Sequence, residues 1–190
     1  MNQRSRPIKL RFRDSYITIP RLPISKDEMI KVLNPLKGHE LVLLVDREGS
    51  MDPFKSFIDT LIETFQELGC LGSGKIYYVD NVPCRYLFTK PGLTKPIHID
   101  QALDNIKDIQ DIVIISDAGA ARRNYYSERL LDTILFLDSI SEAHICYWLN
   151  PVPSFQWKYS TAENIAKHVN MISLDVEGLE KFASNINVSS

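Results

Sequence analysis

Three oxygen-bearing residues stand two apart in the segment VDREGSMDPF: Asp46, Glu48 and Ser50. In an extended loop that spacing turns all three side chains to one side. Two carboxylates and a hydroxyl are hard donors, suited to Mg²⁺, Mn²⁺ or Ca²⁺ and not to zinc. A further carboxylate, Asp117, ends the run DIVIISD as Asp46 ends LVLLVD. If those runs are neighbouring parallel strands, all four residues reach the sheet edge where open α/β sheets bind ligands. Each residue also has a plainer reading. Asp46 could cap the next turn, although Asp52 before Pro53 fits that role better. Asp117 could be a loop acid, and Glu48 could pair with Arg122 or Arg123.

The elements that would position them follow from hydrophobic pattern. LVLLVD and DIVIISD read as strands buried on both faces. Phe54, Phe57, Ile58, Leu61, Ile62, Phe65 and Leu68 recur at helical spacing, with Gly69 closing the helix. KIYYVD and CRYLFT flank NVP as a hairpin, and a helix is expected from about Ile99 to Lys107. Ser127 is expected to cap a long helix carrying Leu130, Leu131, Ile134, Leu135 and Leu137. HICYWLN and MISLD are the last strands, with Thr161 expected to cap a short helix to about Val169 between them and a terminal helix from about Val176 to Asn187; the loop from Asn150 to Ser160 is expected on the same edge as Asp46 and Asp117. This alternation predicts an α/β fold: a Rossmann-like three-layer sandwich around a mostly parallel, six-stranded sheet. The expected order is 3-2-1-4-5-6, with the strand around Tyr86 as an antiparallel edge. Thr89 to Ile97 is read as a segment climbing back along the sheet, which would bring Thr94 and His98 near Asp46. His98 fits a hydrogen-bonded surface histidine as well as a ligand. Phe155, Trp157 and Tyr159 either pack locally or form an interaction surface.

Residues 1–37 differ from the rest. Arg4, Arg6, Lys9, Arg11 and Arg13 cluster there, and alternating apolar residues predict a hairpin around Asp14-Ser15, ended by Pro20 and Pro23. Ser25 and Glu28 have capping-box spacing before a helix carrying Met29, Ile30 and Leu33. This leader is too short to fold alone, so it is expected to pack on the main domain, residues 38–190. The alternative is that its arginines dock a partner.

Composition narrows the function. The chain has 190 residues, 44% hydrophobic and 24% charged, with net charge −2, which excludes a disordered or coiled-coil chain and a histone-like binder of nucleic acid. No apolar run approaches the roughly 20 residues of a membrane span, and no apolar stretch follows the basic start, so neither membrane nor signal peptide is expected. Cys70, Cys84 and Cys146 are odd in number and lack metal-ligand spacing, which suggests a reducing, cytoplasmic setting.

The succession LLVDREGSM, amphipathic helix, hairpin and VIISDAGA resembles a von Willebrand factor A domain over residues 38–187. Within that superfamily VDREGSMDPF, SDAGAARRN, SERLLDTILFL and WLNPVP resemble the bacterial CoxE-like branch, found with MoxR-type AAA+ ATPases and in some cases in conflict or stress modules. The family's metal-ion-dependent adhesion site (MIDAS) uses Asp-x-Ser-x-Ser, a Thr and a second Asp. Asp46, Ser50 and Asp117 match it, Glu48 replaces the first serine, and the usual Asp-Gly is Asp117-Ala118. The resemblance implies a VWA fold and a non-catalytic interaction module with a degenerate MIDAS at Asp46, Glu48, Ser50 and Asp117. Mg²⁺ or Mn²⁺ is the implied ion, and the implied partners are a MoxR-like ATPase and a third component. Three carboxylates would leave a dication site at net −1 and repel an acidic ligand. Two other readings stand beside it: a Mg²⁺-dependent phosphohydrolase of the haloacid dehalogenase type, and a structural brace holding no ion.

Overall fold

The computed structural model describes residues 8–12, 15–19, 24–72, 74–83, 85–109 and 111–189. Arg4, Arg6, Arg13, Asp14, Pro20, Pro23 and Cys84 lie outside the described residues. In the leader, β1 (Ile8–Phe12) and β2 (Ser15–Ile19) pair antiparallel, with Ile8 opposite Ile19 and Leu10 opposite Ile17. Ser25 Oγ accepts from Glu28 N at 3.3 Å, while the Glu28 carboxylate accepts from Ser25 N at 2.8 Å. This reciprocal capping box opens α1 (Lys26–Leu33), and a 3₁₀ turn over Asn34–Leu36 follows it.

Among the described residues the main sheet has seven strands: β3 (Leu41–Asp46), β4 (Ile76–Val79), β5 (Tyr86–Lys90), β6 (Thr94–His98), β7 (Asp111–Ile115), β8 (Ile145–Asn150) and β9 (Asn170–Ser173). Their order is β6-β5-β4-β3-β7-β8-β9. β3 and β7 are parallel neighbours, Leu41 opposite Asp111 and Val45 opposite Ile115. β5 is the antiparallel strand, as the hairpin predicted, but it is not the edge. The six-strand expectation missed β6. The climbing segment hydrogen-bonds to the free side of β5, because an extended backbone lying along a sheet otherwise leaves its N–H and C=O groups unpaired. Lys95 at φ 58° and Pro96 interrupt the new edge, which protects it from further pairing.

The helices are α2 (Lys55–Glu67), α3 (Ile99–Asp104), α4 (Ser127–Ile140), α5 (Thr161–Ile165) and α6 (Val176–Ser189). Several expected caps and boundaries shift. Asp52 is not the cap of α2; it lies inside a 3₁₀ turn over Gly49–Phe54 and pairs with Lys55 Nζ at 2.6 Å. α3 stops at Asp104, short of Lys107. Ser127 and Thr161 are the first residues of α4 and α5, whose N-caps are Tyr126 and Ser160, and α5 stops at Ile165, short of Val169.

Right-handed crossovers place α2 and α4 on opposite faces of the sheet. On the α2 side, Phe182 of α6 meets Phe65 of α2 and Tyr147 of β8 edge-on, at 6.2 and 5.5 Å between centroids. Helix α1 packs against α2 and α6 on this side. Thr64 Oγ1 reaches Met29 Sδ at 3.9 Å, Lys26 Nζ pairs with Glu63 at 3.3 Å and with Glu67, and Met29, Leu33 and Leu36 join the buried core. On the other side α4 packs against α5. Among the described residues no helix is long and apolar enough to cross a membrane.

Candidate functional site

The register that sets Val45 beside Ile115 brings Asp46 and Ser116 side by side at the carboxyl ends of β3 and β7. Ser116 Oγ donates to Asp46 Oδ2 at 2.7 Å. Asp46 Oδ1 accepts two backbone donors, Glu48 N at 3.1 Å and Asn81 N at 3.3 Å, the latter from the loop after β4. Asp117 is held in the same manner. Its Oδ1 accepts from Ser50 Oγ at 3.2 Å and Gly119 N at 3.2 Å, and its Oδ2 accepts from Ala121 N at 3.0 Å. Asn150, at the end of β8, donates to the Asp117 carbonyl at 3.0 Å, and Trp148 Nε1 donates to the Ser116 carbonyl at 2.8 Å. The ends of β3, β4, β7 and β8 are thereby tied into one polar cluster beneath the surface.

Asp46, Ser50, Ser116, Asp117 and Asn150 are all buried. Burial pushes the Asp46 carboxyl up to about 6; the donors Ser116 and Glu48 N oppose the shift, and the Asp117 charge adds to it. Two carboxylates are therefore held close together, out of water, with hydroxyl and amide donors as their neutral partners.

Of the four sequence-selected residues, Asp46, Ser50 and Asp117 come together and Glu48 does not. Glu48 is exposed, and it is its backbone N–H, not its carboxylate, that meets Asp46. The alternation argument assumed an extended loop. Here Glu48 N turns back onto Asp46, Gly49 adopts φ 49°, and the chain enters a 3₁₀ turn that carries Ser50 inward. The Arg122 guanidinium lies across Gly49, where a Cβ would force it to shift. Among the described residues no three of His, Cys, Asp and Glu gather in a metal-holding group. The oxygens of Asp46, Ser50 and Asp117 nevertheless fit a hard dication. Asp46 Oδ2 and Asp117 Oδ2 each accept one hydrogen bond from described residues and keep a lone pair, and one dication would neutralise the carboxylate pair.

Thr94 and His98 are not part of this cluster. Thr94 pairs with Lys90 at the opposite end of the sheet. His98 does reach the carboxyl edge, but on β6, three strands from β3, where it pairs with Asp100 at 3.3 Å and meets Tyr86 edge-on. The sequence did not single out Ser116 or Asn81, and Asn150 was expected only as the start of a loop on this edge. Asn150 carried a signal, a polar residue closing an apolar strand as Asp46 and Asp117 do; Asn81 acts through its backbone and carried none.

The surface around the cluster is irregular. Asn81, Ala118, Arg123 and Tyr159 all have φ between 51° and 64°, a region that non-glycine residues rarely occupy and that concentrates at functional edges. The aromatic loop divides. Phe155 and Tyr159 are each 75% exposed, whereas Trp157 packs on the core and donates to the Val152 carbonyl at 2.7 Å. A groove of about 580 Å³ opens beside the cluster, with Asn81, Arg122, Tyr125, Tyr126 and Arg129 in its wall. No family model, curated protein or solved structure matches the chain.

Proposed function

We propose that the chain is a non-catalytic interaction module of the von Willebrand factor A type, carrying a degenerate MIDAS. It acts in the cytoplasm as an adaptor between a MoxR-like AAA+ ATPase and a third protein, in a bacterial multi-gene system of the conflict or defence kind. The observation that carries the reading is the joining of Asp46 and Asp117, through Ser116 and Ser50, at the edge where β3 and β7 lie side by side. Asp46, Ser50 and Asp117 hold Mg²⁺ or Mn²⁺, and the bound ion neutralises the buried pair. Glu48, exposed beside this edge, disfavours an acidic ligand, so recognition runs through the surrounding surface, including Phe155 and Tyr159.

The phosphohydrolase reading is the weaker one. Enzymes of that type also need a lysine and a pair of aspartates further along the chain, and no clear pair follows Asp117. Titration calorimetry with Mg²⁺ and Mn²⁺, a pull-down against the MoxR-like ATPase of the same host, and turnover of a generic phosphoester separate the readings. Heat with either ion, capture of the ATPase and no turnover are expected. Turnover lost in Asp46→Asn would overturn the proposal in favour of the enzyme. Neither heat nor capture would leave a structural brace.

A further inference from the structure

Helix α4 buries Thr133, Phe136, Leu137 and Ile140, half-buries Arg129, Leu130 and Ile134, and turns its remaining residues to solvent. On that outer surface Leu131 and Leu135 are 58% and 59% exposed, two large apolar residues one turn apart. At the 100° step of a helix, Glu128, Asp132, Asp138 and, just past the helix end, Glu142 fall on the same stripe, and all four are exposed. Arg129, the basic residue of α4, lies off the stripe and bonds to Asn81. A groove of about 590 Å³ runs beside the stripe, with Leu135 and Phe136 on one wall and Ile99, Leu103, Arg85 and His98 across from them. The α4 stripe is apolar at its centre and acidic along its length, and the basic residues Arg85 and His98 stand across the groove from it.

The same chain carries the complementary feature. Before Asp14 the leader has Arg4, Arg6, Lys9, Arg11 and Arg13 and no acid, interleaved with Ile8, Leu10 and Phe12. The β1–β2 ribbon pairs with itself and not with the seven-stranded sheet, and a two-stranded ribbon is marginal in water unless something covers it. A five-residue strand is about 17 Å long. The acidic stripe of α4 is about 21 Å long. The ribbon leads into α1 on the α2–α6 side of the sheet, whereas α4 is on the other side, so the ribbon of a second copy meets α4 without crossing the sheet.

We propose that the outer face of α4 is the docking surface for a second copy of this chain, which covers it with its basic N-terminal ribbon. Reciprocal exchange of the two ribbons closes a two-fold dimer. Sedimentation equilibrium of the full chain over a concentration series tests this. A dimer is expected, weakening as salt is raised. Leu131→Glu with Leu135→Glu should raise the dissociation constant at least tenfold while leaving the melting temperature of the monomer unchanged. Arg11→Glu with Lys9→Glu should weaken the dimer likewise, and Glu128→Lys with Asp132→Lys should restore it in that background. A chain that stays monomeric throughout the series, or a dimer indifferent to the α4 substitutions, overturns the proposal. Failure of charge reversal to rescue overturns the ribbon as occupant.

Discussion

The Ser116 hydroxyl bonds the Asp46 carboxylate at 2.7 Å, and this contact joins two strands whose sequence separation is 70 residues. Ser116 also accepts from Ala118 N at 3.2 Å, so its single proton is committed to Asp46. Asp46 is therefore oriented by a neighbour on β7 as firmly as by its own loop.

In chelator, stability should fall with rising pH on account of Asp46. Its folded-state value of about 6 lies above the ordinary 3.8, so between those values the native protein binds more protons than the unfolded chain. The contribution is complete below the ordinary value and is lost as pH rises through 6, on the order of 3 kcal/mol in all. Asp46→Asn should flatten this dependence and melt higher than wild type at pH 7 without ions. Saturating Mg²⁺ or Mn²⁺ should reverse the ranking, because only the carboxylate gains from the ion. Melting curves of both proteins at three pH values, with and without ion, check it.

Leu61 has no exposed surface and sits on the inner stripe of α2. Leu61→Ala should cost about 2 to 5 kcal/mol in urea unfolding. Phe57, expected to be equally buried, is only partly covered, so Phe57→Ala should cost less than Leu61→Ala.

Trp157→Ala should destabilise the fold by about 3 kcal/mol, since it removes core packing and the bond to the Val152 carbonyl. Phe155→Ala and Tyr159→Ala should leave the melting temperature within a degree or so of wild type, as expected for surface positions. Calorimetry of the three variants, followed by partner capture, distinguishes a structural loop from a recognition loop.

His39 Nε2 pairs with Asp111 Oδ2 at 2.7 Å at the amino ends of β3 and β7, and Asp111 Oδ1 is buried without a partner among the described residues. His39→Ala should cost roughly 3 kcal/mol, because it strands a buried carboxylate. Adding Asp111→Asn should recover most of the loss in the same unfolding assay.

Gly178 stands in the first turn of α6, its N–H bonded to Asp175 Oδ1 at 2.8 Å, and a Cβ there would collide with the Ser173 carbonyl. Gly178→Ala should lower stability by about 1 to 3 kcal/mol, the range of overpacked sites, where helix propensity alone predicts a gain.

The sequence by itself determined the alternation of strand and helix, the two aspartates that end β3 and β7, and the adjacency of those strands. These are local or nearly local: apolar runs of strand length, capping residues, and the handedness of crossovers leave few alternatives. The capping box at Ser25 and Glu28 was legible for the same reason. Only the tertiary structure decided that Thr94–His98 is a strand, since its partner edge on β5 exists only once the hairpin has formed. It also turned Glu48 outward, because the Asp46 carboxylate captures the Glu48 N–H and Gly49 then reverses the chain, and side-chain alternation ends where a turn begins. Asn81 and Trp157 took their roles the same way. One acts through a backbone N–H that any residue could supply, and the other through a carbonyl five residues away that only the folded loop brings within reach.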